Sequence, residues 1–297
     1  VEAGLHPWIA VLDFKSMYPS IMIGNNVCYT TRIDPSHPEQ PGKGDATHVS
    51  PTEAAFWTTE HRKGLVPALL EDLMNQRDEH KAQIKQARKD EQVEKEEFHD
   101  SMQYAVKIMM NSFYGVFASG FYRFTHKDLG SSITAWARQN IKTIIQKLEE
   151  EGHHVVYSDT DSIFVCSPVP EGSPSVLKED DDNETIAAYE AAKQAMIDFG
   201  LDIAKQYSRD SAVLEYEKGL SVFFSHGAKK RYVGQVVWPS EEMLIRGYET
   251  QRTDSFEFLT TFGVCTVLMK CFLLCVDSIG YIEKFLIAHN PLTSYQK

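Results

Sequence analysis

Two acidic positions, each placed where an apolar run gives out, constrain this chain more than any other feature. Trp8-Ile9-Ala10-Val11-Leu12 is a short unbroken apolar segment of the kind a buried strand uses, and it ends on Asp13. After Asp13-Phe14 the chain turns, and Pro19 takes the place of a first-turn helix proline before Ser20-Ile21-Met22-Ile23. Much later, His154-Val155-Val156-Tyr157 and Ser162-Ile163-Phe164-Val165 flank the polar turn Ser158-Asp159-Thr160-Asp161, which reads as a β-hairpin. Turns favour Asp, so Asp159 alone carries little weight. Three acids at one level of a sheet weigh more, because like charges at close range cost on the order of several kcal/mol unless a cation neutralises them. An all-oxygen donor set suits Mg²⁺ or Mn²⁺ rather than zinc, and no HExxH or Cys/His cluster is present. Two such ions roughly 4 Å apart form a clamp for phosphoryl transfer, one activating the attacking oxygen and the other steadying the leaving group.

The rest of the composition sets bounds. The chain has 297 residues, enough for about two domains, or one with an insertion. Hydrophobic residues at 42% and charged residues at 24% are globular values and exclude disorder as the main description. Lys+Arg number 30 against 42 Asp+Glu, a formal charge of −12, which argues against a small, wholly basic nucleic-acid binder but not against an enzyme with a local basic groove. Cys28, Cys166, Cys265, Cys271 and Cys275 form no CxxC pair, and no signal peptide is visible. Both point to a reducing, cytoplasmic setting, nucleoid-associated if the source is prokaryotic. The apolar stretch Phe258–Val276 is broken by Gly263 and Lys270 and reads as a buried helix rather than a membrane span.

Between these landmarks, Pro35 to Pro51 reads as a surface loop. Pro67 starts a long polar helix running to about Glu97, and a second helix runs from about His99 to Ala118, together suggesting a helical hairpin projecting from a core. Lys107 and Asn111 share a face of the second helix at i, i+4, and with Arg77 on the first they could hold a triphosphate beside a metal site. Ser132 to Glu151 is a further amphipathic helix stopped by Gly152. Ser167 to Glu184 is a loop whose acidic run Glu179-Asp180-Asp181-Asp182 lacks the spacing of a calcium site. Ile186 to Gln206 reads as helix, and Val213–Tyr216 and Ser221–Phe224 as strands. Lys229-Lys230-Arg231-Tyr232 is a compact basic patch suited to gripping a nucleic-acid backbone.

Four of these segments resemble family B DNA polymerases, and they stand in that family's order. Asp13-Phe14-Lys15-Ser16-Met17-Tyr18-Pro19-Ser20 resembles its Asp-x-x-Ser-Leu-Tyr-Pro-Ser motif, in wording closer to archaeal members. Lys107-Ile108-Met109-Met110-Asn111-Ser112-Phe113-Tyr114-Gly115 matches Lys-x-x-x-Asn-Ser-x-Tyr-Gly. Tyr157-Ser158-Asp159-Thr160-Asp161-Ser162 matches Tyr-Gly-Asp-Thr-Asp-Ser with Ser158 in place of Gly, and Lys229 to Tyr232 matches Lys-Lys-Arg-Tyr.

The resemblance covers residues 1 to about 257 and implies an α+β fold. A polymerase palm, an antiparallel sheet with packed helices, would comprise residues 1–63 and 120–235. The inserted helical hairpin, 64–119, would be the fingers, and 236–297 a partial thumb. It further implies that Asp13 and Asp161 bind two Mg²⁺ ions, for which Mn²⁺ can substitute, with the backbone carbonyl of Phe14. Asp159 would be a supporting catalytic acid, and Glu217 a further acid of the palm that joins the metal site. Backbone amides of Ser16 and Met17 would hold the triphosphate, Arg77, Lys107 and Asn111 would bind phosphates, Tyr18 would stack under the incoming sugar, and Tyr114 would line the nascent base pair. Lys229, Lys230, Arg231, Tyr232, Arg246 and Arg252 would contact DNA. The expected activity is template-directed addition of dNTPs to a primer 3′-hydroxyl. Its partners would be primer-template DNA, dNTPs and a companion polymerase chain carrying amino-terminal, exonuclease or thumb portions, with no membrane. No exonuclease motif is visible, so proofreading is not expected of this chain. The alternative is a non-catalytic DNA-binding or assembly subunit of a split polymerase, since the tail from about Phe258 does not resemble a family thumb.

Overall fold

The structure is a computed structural model and describes residues 1–34, 36, 47–178, 180–209 and 212–247. The elements in chain order are β1 (Ala3–Phe14), α1 (Met17–Gly24), β2 (Thr47–Val49), β3 (Ala55–Trp57), α2 (Leu65–Lys89), α3 (Val93–Ala118) and α4 (Lys127–Glu150). They continue with β4 (Val155–Asp159), β5 (Ser162–Cys166), α5 (Asn183–Tyr207), β6 (Leu214–His226), β7 (Tyr232–Trp238) and β8 (Glu242–Arg246). The fold mixes helices with antiparallel sheet and separates into two compact units.

Among the described residues, the first unit gathers Val1–Asp13, Lys147–Gln206 and 215–247. It holds a six-stranded sheet in the order β4-β5-β1-β6-β7-β8. The unbroken apolar run of β1 follows from its central place, since both of its faces are covered. Ile9 and Val11 enter a cluster with Val156, Tyr157, Phe164, Leu220, Phe223 and Val236. Trp8 enters another, against Tyr189, Ala192 and Met196 of α5. The α4 helix ends as its sequence dictates, with Gly152 at φ 86° and the His153 amide returning to the Leu148 carbonyl at 2.8 Å. Two acids before α5, Asp181 and Asp182, are put to local use. The Asp182 carboxylate accepts from the Thr185 amide at 2.8 Å, a helix cap that also lowers its pKa, and Asp181 accepts from the Lys178 amide at 2.6 Å.

The strand readings 213–216 and 221–224 are in fact one strand, β6. Gly219 does not break it. A Cβ there would collide with the Tyr216 hydroxyl and the Met196 methyl, so the glycine answers to packing, and the ladder absorbs it through register shifts at Gly219, Leu220 and Val222.

The second unit comprises Phe14–Gln146 and Tyr207–Leu214. The buried side chain of Asn26 fixes where α2 begins, donating to the carbonyls of Trp57 at 2.7 Å and Arg62 at 2.8 Å while accepting from the Gly64 amide at 2.8 Å. Gly64 is the N-cap of α2, and any side chain there would strike Asn26 and Pro67. The helices α2 and α3 form the expected hairpin, but it bends at Asp90–Gln92 rather than near Glu97. Glu91 takes φ 54° there. Nothing in the polar run Lys89 to Glu97 marks that bend, because no Gly or Pro stands in it. The proline-rich segment includes a short strand at its end, β2, paired with β3. α4 starts at Lys127, a turn before the expected Ser132, and Asp128 in its first turn holds Arg32 at 2.8 Å.

Among the described residues, no helix is long and apolar enough to cross a membrane. The apolar stretch Phe258–Val276 and the expected DNA contact Arg252 lie outside the described residues.

Candidate active site

In the first unit, the acids sit at one end of the sheet. Ser162 pairs with Asp13 on one side and with Asp159 on the other, so Asp159, Ser162 and Asp13 form a row across β4, β5 and β1. Residues paired in register point to the same face. Asp161 stands next to Ser162 in a two-residue turn, where Thr160 takes φ 48° and the Asp161 amide returns to the Asp159 carbonyl at 2.6 Å. Asp13, Asp159 and Asp161 are all half-buried.

This row revises the electrostatic argument made from sequence. Asp159 lies two strand spacings, roughly 10 Å, from Asp13. It also has its own cation: its carboxylate accepts from the Lys230 ammonium at 2.9 Å. The Lys230 amide in turn donates to the Tyr157 hydroxyl at 2.9 Å. Asp159 raises the Lys230 pKa, and burial raises that of Tyr157. Among the described residues no three acid, imidazole or thiol side chains form a metal-holding group. Through the Asp13↔Ser162 register, Asp13 lies beside the turn that bears Asp161, and the two carboxyls are oxygen donors of the kind a hard divalent cation takes. Phe14, whose carbonyl was expected to join them, is the last residue of β1, and its side chain is buried. Glu217 is exposed on β6, on the same face as Glu215.

The basic patch belongs to the same unit. Lys229, Lys230 and Arg231 are exposed at the turn between β6 and β7, with Lys230 at φ 62°. Tyr232 opens β7 opposite Arg246 of β8 and packs edge-on against Tyr157 at 5.2 Å. Gly247 follows at φ 72°, where a side chain would collide with the Lys230 carbonyl, so the chain can leave β8 past this turn only through glycine.

In the second unit, Ser16 is the N-cap of α1 with left-handed φ 48° and ψ 54°, and Met17 is the first helical residue. Arg77 of α2 donates from Nη1 to Ser16 Oγ and from Nε to Gln103 Oε1, both at 3.3 Å. Lys15 is held by Asp78 of α2 at 2.7 and 2.9 Å. α2 is therefore tied to the turn that precedes α1. Half-buried Tyr18 on α1 meets half-buried Tyr114 on α3, ring centroids 4.5 Å apart and tilted by 33°. Lys107 and Asn111 are exposed one turn apart on α3. The sequence reading missed three supporting residues: Asp78, Gln103 and Tyr157. Only tertiary structure brings them to their partners, which lie 63, 26 and 73 positions away.

The sequence matches the DNA polymerase family B description over residues 3–272. It is 32% identical over 280 residues to the DNA polymerase delta catalytic subunit of Caenorhabditis elegans, covering 86% of this chain and 23% of that protein. It is 30% identical over 271 residues to DNA polymerase 2 of Aeropyrum pernix, covering 91% of this chain and 29% of that one. The chain thus spans about a quarter of the length of these relatives. The fold is similar to that of the family B DNA polymerase from Pyrobaculum calidifontis, with TM-score 0.63 and 24% identity, covering 100% of this chain and 34% of that structure. With its acids at the β1–β5 edge, its strand-turn-helix at Ser16 and its basic turn at Lys230, this chain belongs to DNA polymerase family B.

Proposed function

We propose that this chain carries the nucleotidyl-transfer core of a DNA-directed DNA polymerase, adding dNTPs to a primer 3′-hydroxyl on a template. The observation that carries the reading is the β1–β5 edge, where the register Asp13↔Ser162 sets Asp13 beside the turn bearing Asp161. Asp13, Asp161 and the Phe14 carbonyl would hold two Mg²⁺ ions, which when bound activate the attacking oxygen and neutralise charge on the phosphates.

The chain's own groups do the rest. The amides of Ser16 and Met17, at the start of α1, are suited to hold phosphate oxygens by hydrogen bonding and the helix dipole. Arg77 supplies a fork for a phosphate, and Lys107 and Asn111 supply a charge and an amide on one helix face. Tyr18 would lie beneath the sugar of the incoming nucleotide, and Tyr114 beside its base. Lys229, Lys230, Arg231, Tyr232, Arg246 and Arg252 would grip the primer-template, with Lys230 oriented by Asp159. The α2–α3 hairpin would be the fingers, inserted in a palm of 1–63 and 120–235, with a partial thumb from 236.

No second acidic site is assigned among the described residues, so synthesis without 3′→5′ degradation is proposed for this chain. Primer extension by the purified chain with Mg²⁺ and dNTPs tests the reading. Extension that Asp161→Asn abolishes supports it, and failure of the chain to extend, alone or with a companion polymerase portion, removes it.

A further inference from the structure

The connection between α3 and α4 carries four aromatic or basic residues in succession, Phe121-Tyr122-Arg123-Phe124. A surface loop ordinarily carries small polar residues there. Phe121 is 99% exposed, and Tyr122 and Phe124 are more than half exposed. The loop is nonetheless anchored at both ends. Thr125 donates its hydroxyl to the Phe117 carbonyl at 2.6 Å, and the Phe121 amide donates to Ser119 Oγ at 3.3 Å. Gly130 of α4 lies so close to Ala118 at the end of α3 that an added Cβ would come within 3.0 Å of its Cα. Phe124 stacks on Tyr29 at 5.2 Å and 28°, and the Arg123 guanidinium lies 5.6 Å from the Phe124 ring centre. A held loop thus presents a bare aromatic face beside a cation.

The charge of the loop selects the partner. The chain as a whole is at −12, yet residues 119–127 contain Arg123 and Lys127 and no acid. The next acid, Asp128, is committed to Arg32. Aromatic rings next to cations suit unpaired nucleic acid, since every base has a face to stack and every linkage a phosphate to meet.

We propose that this loop is a stacking platform for unpaired bases of the template strand, with Phe121 as the ring on which a base lies and Arg123 as the cation that meets the adjoining phosphate. The proposal rests on the polymerase reading above and names a contact beyond the nucleotide-holding residues. Tyr114, whose ring meets that of Tyr18, stands only seven residues before Phe121 on the same helix and loop.

Affinity is measured for a primer-template with an unpaired 5′ template tail carrying 2-aminopurine and for the same duplex with blunt ends. The wild-type chain should prefer the tailed duplex by roughly five- to a hundredfold, the worth of stacking one base. It should also change the 2-aminopurine emission. Phe121→Ala should bring the ratio near one, Phe121→Trp should restore it, and Arg123→Gln should lower it in part and flatten the salt dependence of tail binding. Primer extension run alongside separates the two claims. A chain that does not extend, alone or with a companion polymerase portion, loses the polymerase reading, whereas one that extends but keeps its tailed-to-blunt ratio in Phe121→Ala loses only the platform. A wild-type ratio of one, or self-association that Phe121→Ala abolishes while the ratio holds, would equally overturn the platform.

Discussion

The Lys230 ammonium lies 2.9 Å from a carboxylate oxygen of Asp159, 71 positions earlier in the chain, and so joins the β6–β7 turn to the acidic hairpin of the same unit. The lysine side chain is 69% exposed, and a pair so open to water contributes about 0–1 kcal/mol to stability. Under the proposed function its use would be to orient Lys230. Asp159→Asn and Lys230→Met should each leave the melting temperature almost unchanged yet lower primer extension. The double variant should be no worse than the poorer single, a coupling of roughly twofold to a hundredfold. Additive losses in the three proteins would show that the two residues act independently.

The same turn has an alkaline limit. Burial raises the pKa of Tyr157 and Tyr232 above 10.0, and Asp159 raises that of Lys230 above 10.5. A folded pKa raised above the unfolded one gives stability that is whole below the unfolded value and is lost as pH climbs through the folded one. Melting temperature should therefore hold from neutrality to about pH 10 and then fall. Tyr157→Phe should make that fall shallower.

Tyr18 meets Tyr114 at a tilt and is only half-buried, which sets it apart from the fully buried rings of the core. A ring beneath the incoming sugar excludes a 2′-hydroxyl by collision rather than by attraction. Tyr18→Val should raise the rNTP/dNTP incorporation ratio by orders of magnitude with dNTP use falling modestly. A core aromatic would instead lose about 3–5 kcal/mol of stability and both activities together. Incorporation of both nucleotide types, measured beside the melting temperature, distinguishes the two.

Gly200 lies in α5, where alanine on an open helix face would gain about 1 kcal/mol. Here an added Cβ would lie 2.5 Å from the Tyr216 ring, which stacks on Trp238 at 4.4 Å. Overpacking of this kind costs about 1–3 kcal/mol. Gly200→Ala should lower the urea midpoint with the slope unchanged, and a raised midpoint would contradict the packing.

What the sequence made legible was local. The β1 run, the Ser16 turn and the Asp159–Asp161 hairpin each follow from a few consecutive residues, and the motifs around them carried the family. The bend at Glu91 had no Gly or Pro to announce it, and the continuity of β6 through Gly219 was hidden because Met196 and Tyr216 come together only in the folded sheet. The acids and their shared level on the sheet were legible, but what stands between and beside them was not. Strand order puts Ser162 between Asp13 and Asp159, and a lysine from another hairpin neutralises Asp159.

The most direct test of the account is primer extension in Mg²⁺ by the wild-type chain, Asp13→Asn and Asp161→Asn, with circular dichroism to show that all three fold. The account predicts extension by the wild type and none above background by either variant, since each loses a ligand of the proposed two-ion site. Extension by folded Asp161→Asn at near the wild-type rate would contradict it.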